Sequence, residues 1–165
     1  MSAKVLILMG SDSDLPVMKS AADTLKEFGV RCEVRVLSVH RAPEKAFETA
    51  RKAREHGFRV IICGAGLAAH LAGGIASQTT LPVIGVPLDS GPLHGLDSLL
   101  STVQMPPGVP VATVAVGGAR NAAVLAVQIL ATSDDRLAEQ LTKFKERLQD
   151  QVLERDQKVR EEHSR

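Results

Sequence analysis

Val5-Leu6-Ile7-Leu8-Met9-Gly10-Ser11-Asp12-Ser13-Asp14 carries the first readable pattern of the chain. Five apolar residues without a break describe a strand covered on both faces, the condition of a strand inside a parallel sheet. The pattern then changes period. Asp14 suits an N-cap and Pro16 the first helical turn. Met18, Ala21, Ala22, Leu25 and Phe28 follow at helical spacing until Gly29 stops them. A buried strand, a polar turn and an amphipathic helix make one βα unit.

The unit repeats along the chain. A second strand is expected over 31–39, with a helix from Pro43 to Glu55 that ends near Gly57. A third strand, Arg59 to Cys63, leads into Gly64-Ala65-Gly66-Leu67-Ala68-Ala69-His70 and a short helix. The fourth runs from Pro82 to Pro87, before a loop and a helix over about 96–105. The fifth, Pro110 to Val116, precedes Gly117-Gly118 and a helix over about 120–132. Strand and helix alternating at this spacing predict right-handed crossovers. The expected fold is α/β: a three-layer α/β/α sandwich around a parallel five-stranded sheet, flavodoxin-like, with an added C-terminal helix.

The 165 residues fit one domain, enough to bury roughly 70% of the surface of the unfolded chain. Its core is expected over about 4–132 and the C-terminal helix over about 134–155, with a polar tail at 156–165 that frays. Two helices stand out. Ala122 to Leu130 is apolar on nearly every side except Gln128, which implies more than one neighbour. The last helix carries one stripe, Leu137, Leu141, Phe144, Leu148 and Val152, able to pack on its own domain or on another subunit. Together they favour a homo-oligomer.

Composition excludes several classes of partner. Twenty Lys and Arg against 19 Asp and Glu leave a formal charge of +1, which gives no attraction to nucleic acid or anionic membrane. With no Trp or Tyr and four Phe, little is left for stacking bases. No apolar run approaches the ~20 residues that span a bilayer. Met1-Ser2-Ala3-Lys4 runs into the first strand without the layout of a signal peptide. Cys32 and Cys63 have no paired spacing and read as reduced, buried thiols of a cytoplasmic protein. The five histidines form no metal-ligand cluster, so no metal is expected.

The polar and glycine-rich segments that follow the strands all fall on one edge of the sheet, where open parallel sheets place their ligand crevice. His40-Arg41-Ala42-Pro43 is the sharpest of them. It sets a group that titrates near neutrality beside a fixed bidentate cation at a helix start, an anion anchor next to an acid–base group. A plain surface His and Arg in a strand-to-helix loop is the competing reading. Ser11 and Ser13 offer hydroxyls at another helix start; Asp14 either accepts from ribose hydroxyls or serves only as a cap. Gly64 and Gly66 would let backbone approach a small ring closely, and His70 points into the crevice or caps the turn.

Gly64-x-Gly66-x-x-Ala69, with Asp89 about 20 residues on, also matches the dinucleotide fingerprint. It follows the third strand rather than the first, and its helix is short and holds Gly73-Gly74. A phosphate-receiving regulator of the same fold is excluded by chemistry, since no Asp ends the third strand and no Lys the fifth. No Gly-x-Ser-x-Gly elbow is present.

Gly10 to Asp14, Ser38 to Pro43, Gly64 to Leu71 and Asp97 to Pro106, extended by Pro110 to Val116 and Asn121-Ala122, resemble the N(5)-carboxyaminoimidazole ribonucleotide mutase family of purine biosynthesis over about residues 4–132. The resemblance implies a homo-octamer with active sites at subunit contacts. It also implies conversion of N(5)-carboxyaminoimidazole ribonucleotide to 4-carboxy-5-aminoimidazole ribonucleotide without metal or organic cofactor. Ser11, Asp14 and Arg41 would bind this ribonucleotide, Arg41 and Ser38 near the phosphate and Asp14 near the ribose. His40 would move the proton, and Gly64 and Gly66 would form a wall of the cavity with His70 nearby. A second branch of the family carboxylates aminoimidazole ribonucleotide directly and carries Lys after the catalytic His and Ser-Asn in the glycine loop. Arg41 and Ala68-Ala69-His70 stand here instead, favouring the mutase. The chain departs from the family pattern at Leu67, where relatives have Gly, at Ala72 for Pro, Val39 for Ala and Ala42 for Thr.

Overall fold

The computed structural model describes residues 4–163. Met1 to Ala3, which bear on the signal-peptide reading, and Ser164 and Arg165 of the tail lie outside the described residues. The elements run β1 (Lys4–Met9), a 3-10 turn over Asp12–Asp14, α1 (Leu15–Glu27), β2 (Arg31–Val36), α2 (Pro43–Lys52) and β3 (Phe58–Gly66). They continue α3 (Leu71–Ala76), β4 (Val83–Leu88), α4 (Leu96–Val103), β5 (Ala112–Thr113), α5 (Ala119–Ala131) and α6 (Asp135–His163).

All five strands are parallel, in the order β2-β1-β3-β4-β5. The chain leaves β1 toward one edge and returns to its other side at β3, which makes the carboxyl ends of β1 and β3 the switch point. Met9 closes that end, paired with Val36 on one side and Gly64 on the other.

Alternation along the buried strands feeds two cores. Val5, Ile7, Met9, Val60, Ile62 and Ile84 pack with α1, α5 and α6, while Leu6, Leu8, Ile61, Cys63 and Val83 pack with α2 and α3. Ala122, Ala123, Ala126, Val127 and Leu130 of α5 are buried within this one chain. Its small side chains bring α5 close to α1 and the sheet, so much of its all-round apolar character is satisfied internally.

Three sequence expectations change. The fifth strand shrinks to Ala112–Thr113 at the sheet edge, because Pro87 and Pro110 have no N–H to contribute. Single bonds, Val114 N to the Gly85 carbonyl and Gly117 N to that of Pro87, carry the chain onward. The third strand runs longer than expected, so Gly64 and Gly66 are strand residues rather than loop residues. The C-terminal helix, expected to about 155, continues to His163. Its last turns are built from helix formers with i,i+4 partners, Gln157 to Glu161 and Asp156 to Arg160. The apolar stripe of α6 splits: Leu137, Leu141 and Phe144 are buried, with Phe144 edge-on to Phe28 at 5.4 Å, whereas Leu148 and Val152 are 41% and 62% exposed.

Candidate active site

Three strand ends converge. After Met9 the chain turns sharply, and Ser11 holds the turn. Its Oγ accepts from the Ser13 amide at 3.3 Å, while its own amide donates to Asp14 Oδ2 at 3.0 Å. After Val36 the chain runs through Leu37 to His40 and Arg41 before Pro43 starts α2. Ser38 Oγ accepts from the Arg41 amide at 3.3 Å and fixes that bend. Arg41 then reaches across, its Nη2 donating to the Gly10 carbonyl at 2.8 Å. One guanidinium thus ties the β2–α2 loop to the end of β1.

The space between these loops is a cavity of about 500 Å³, lined by Ser11, Asp14, Ser38, His40, Arg41 and Gly66 among others. Its lining mixes these polar groups with apolar residues: Val39, and Ala65, Leu67, Ala68 and Leu71 of the stretch from β3 into α3.

His40 and His70 meet at its rim. Nε2 of His40 lies 2.9 Å from Nδ1 of His70, with the rings edge-on at 5.0 Å between centroids. Only one proton can sit between two ring nitrogens, so one ring donates and the other accepts. A change of protonation at His40 is therefore coupled to the tautomer of His70. His70 is exposed and does not itself line the cavity; it meets the site only through His40. It starts α3 without a side-chain capping bond.

Asp14 is buried, and desolvation pushes its carboxyl above the ordinary carboxylate range. The amides of Ser11 and Gly10 oppose that shift, Asp12 adds to it, and the Arg41 guanidinium opposes it. Asp14 sits at the N-cap position of α1 without a side-chain capping bond there; its carboxylate instead closes the preceding turn through the Ser11 amide, and it lines the cavity.

The two glycines divide. Gly66 lines the cavity, and a Cβ there would strike Ser90 Oγ and approach Ser90 Cβ at 2.6 Å. Gly64 does not line it. A Cβ at Gly64 would run into Met18 Sδ and lie 2.9 Å from its Cε. Gly64 therefore seats α1 against the sheet and is corrected from cavity wall to packing residue. With both positions facing the protein's own side chains in a strand, neither forms the turn that a dinucleotide fingerprint needs.

The AIR carboxylase family matches residues 4–151. The chain belongs to that family. It is 54% identical to the N5-carboxyaminoimidazole ribonucleotide mutase of Thermotoga maritima over 94% of this chain and 91% of that one. It is 58% identical to the mutase of Mycobacterium leprae, covering 93% and 90%. The crystal structure of Treponema denticola PurE superposes with a TM-score of 0.87 at 28% identity, covering 95% and 98%. The three-layer parallel fold is thus shared with a solved structure.

Within this AIR carboxylase chain, two site features escaped the sequence. Ser90 was one residue in a polar loop, and nothing in the pattern aimed it at the cavity. Leu67 holds φ at 53°, in the left-handed region. That costs a residue with a side chain roughly 1–2 kcal/mol, a strain that glycine would not carry.

Proposed function

We infer that this chain is the isomerase of purine biosynthesis that converts N(5)-carboxyaminoimidazole ribonucleotide to 4-carboxy-5-aminoimidazole ribonucleotide. The observation that carries it is the His40–His70 contact beside a cavity whose lining includes His40, Arg41, Ser38 and Asp14. The names and high identity of the relatives agree with it.

The chemistry asks for these groups and little more. His40, protonated, gives its proton to the ring-attached nitrogen of the carbamate. The nitrogen–carbon bond breaks, its electron pair stays on nitrogen, and carbon dioxide is released into the cavity. The amino-imidazole is enamine-like, so its ring carbon attacks that carbon dioxide without an electron sink from metal or cofactor. The ring-carbon proton then returns to His40, which ends as it began. Holding the fragment beside the ring replaces a bimolecular recapture with an intramolecular one, worth up to ~7–11 kcal/mol. A histidine suits both transfers, because its ordinary pKa is near 6.5. His70 fixes which His40 nitrogen carries the proton.

For the substrate, Arg41 and Ser38 take the phosphate and Asp14 the ribose hydroxyls, with Ser11 beside them. Gly66, packed against Ser90, lends its backbone to the cavity wall beside the ring. The chain works as a homo-octamer in the cytoplasm. Exposed Leu96, Leu100 and Val103 on α4 and half-buried Val124, Leu125 and Ile129 on α5 support assembly. Two free thiols and a phosphorylated, membrane-impermeant substrate suit that compartment. Among the described residues, no helix is long and apolar enough to cross a membrane.

Purified protein should interconvert the two carboxylated ribonucleotides without added bicarbonate, ATP or metal. Turnover that appears only with aminoimidazole ribonucleotide and high bicarbonate would replace this function by direct carboxylation. Light scattering that finds a monomer would remove the octamer.

A further inference from the structure

Leu67 is out of place on two counts. Its backbone lies at φ 53°, where a side chain is disfavoured, and 52% of its surface is exposed although it is a large apolar residue. Neither the core nor a turn requires leucine there, since glycine would relieve the backbone and uncover nothing buried. Strain of this kind persists where a side chain serves a site.

Its surroundings indicate what that service is. Leu67 lines the cavity together with Ala65, Ala68 and Leu71, the apolar stretch from β3 into α3 that forms its apolar end. From the loop after β3 it reaches across to the loop after β4, so close to Gly91 that a Cβ on that glycine would fall 2.8 Å from Leu67 Cδ2. Gly91 itself holds φ at 87°. A side chain at 91 would be strained and would also displace Leu67. The two loops thus meet through one leucine methyl over the apolar end of the cavity.

We propose that Leu67 is the retaining wall for the carbon dioxide intermediate: its side chain closes the apolar end of the cavity and keeps the fragment beside the ring between release and recapture. This rests on the mutase function inferred above. Carbon dioxide is small, uncharged and without a dipole, so an apolar enclosure holds it without competing for the hydrogen bonds that orient the ribonucleotide. The polar groups, Arg41, Ser38 and Asp14, come from other loops that line the same space. A retaining wall changes no bond. It changes which carbon dioxide, the molecule just released or one from solution, forms the new carbon–carbon bond.

The test is label retention. Substrate carrying ¹³C in its carbamate is turned over in unlabelled bicarbonate with carbonic anhydrase present, and ¹³C in the product is read early in the reaction. Wild-type protein should retain most of the label. In Leu67→Gly and Leu67→Ala the fraction of product carbon drawn from the unlabelled pool should rise roughly fivefold, well within the range that a small loss of positioning produces. Leu67→Met, which restores an apolar side chain of similar reach, should return to wild-type retention. Leu67→Gly relaxes the backbone and should melt no lower than wild type, so loss of folding cannot explain a leak. Product formed with the same retention in wild type, Leu67→Gly and Leu67→Ala overturns the proposal, as does a wild type that loses the label. A wild type that makes no product from either ribonucleotide removes the mutase function itself.

Discussion

Two clefts of nearly equal size open at opposite edges of the sheet. One is the cavity of about 500 Å³ at the strand carboxyl ends; the other, of about 450 Å³, lies at the amino-terminal edge between α2 and the segment Ser77 to Thr80. Both hold arginine and hydroxyl groups. Their arginines are used differently. Arg51 Nη1 donates to Gln78 Oε1 at 2.8 Å and Arg54 Nη2 to Thr80 Oγ1 at 3.1 Å, tying the end of α2 and the turn after it to the segment that follows α3, with Glu55 beside them. This cleft also sits where α2 and α3 end, so their carbonyl ends disfavour anions. Arg41 instead spans two loops at a helix start, beside a coupled histidine pair. What separates a site from a cleft of the same composition is placement against backbone dipoles and strand ends.

The sharpest way to break this contrast is His40→Asn. Loss of proton transfer should lower turnover by about 10²–10⁴-fold, with substrate affinity kept within about tenfold, measured by steady-state rates and direct binding. Wild-type-like turnover would end the acid–base role. Arg41→Ala comes next. It removes a charge-assisted contact and the brace to Gly10, and should raise KM by about 10–100-fold while leaving the rate at saturation much less affected. An unchanged KM would place the phosphate elsewhere.

Much of this site was legible because single residues carried it. Val5 to Met9 could only be an interior strand, and each polar segment after a strand had to fall on the same edge. His40 and Arg41 were adjacent in sequence, so one tight loop delivered both. What was not legible depended on contacts between distant segments. The Met18 side chain that fills the space above Gly64 comes from α1, 46 positions away, and no local pattern announces it. The same holds for Ser90 over Gly66 and for the ring of His70 against that of His40, where spacing left two orientations open. The full length of α6 was not legible because no apolar periodicity marks its last turns, although Glu, Lys, Arg and Gln with i,i+4 partners favour a helix that need not touch anything.

A smaller effect distinguishes the clefts by pH. Burial raises the Asp14 carboxyl above its ordinary value, so the folded state binds its proton more tightly than the unfolded chain does. That contribution to stability is complete below the ordinary carboxylate range. It is lost as pH rises through the raised folded value. Asp14→Asn should therefore become more stable relative to wild type as pH climbs from acid to neutral, with the two converging in acid, followed by chemical denaturation at each pH. Its amide oxygen can still accept from Ser11. A difference that stays flat with pH would mean that Asp14 does not titrate out of range.

The least effect belongs to the double variant Arg51→Ala with Arg54→Ala, and it is informative because it should be small. Both arginines are exposed, each gives one hydrogen bond to a partly solvated partner, and Glu55 already offsets their charge. Exposed contacts of this kind contribute about 0–1 kcal/mol each. The variant should melt slightly lower than wild type, with KM and the rate at saturation unchanged within about twofold, since surface substitutions away from a site act through stability alone. A rise in KM comparable with that of Arg41→Ala would show that the amino-terminal cleft also takes the ribonucleotide. The dipole argument that separates the two edges would then be wrong.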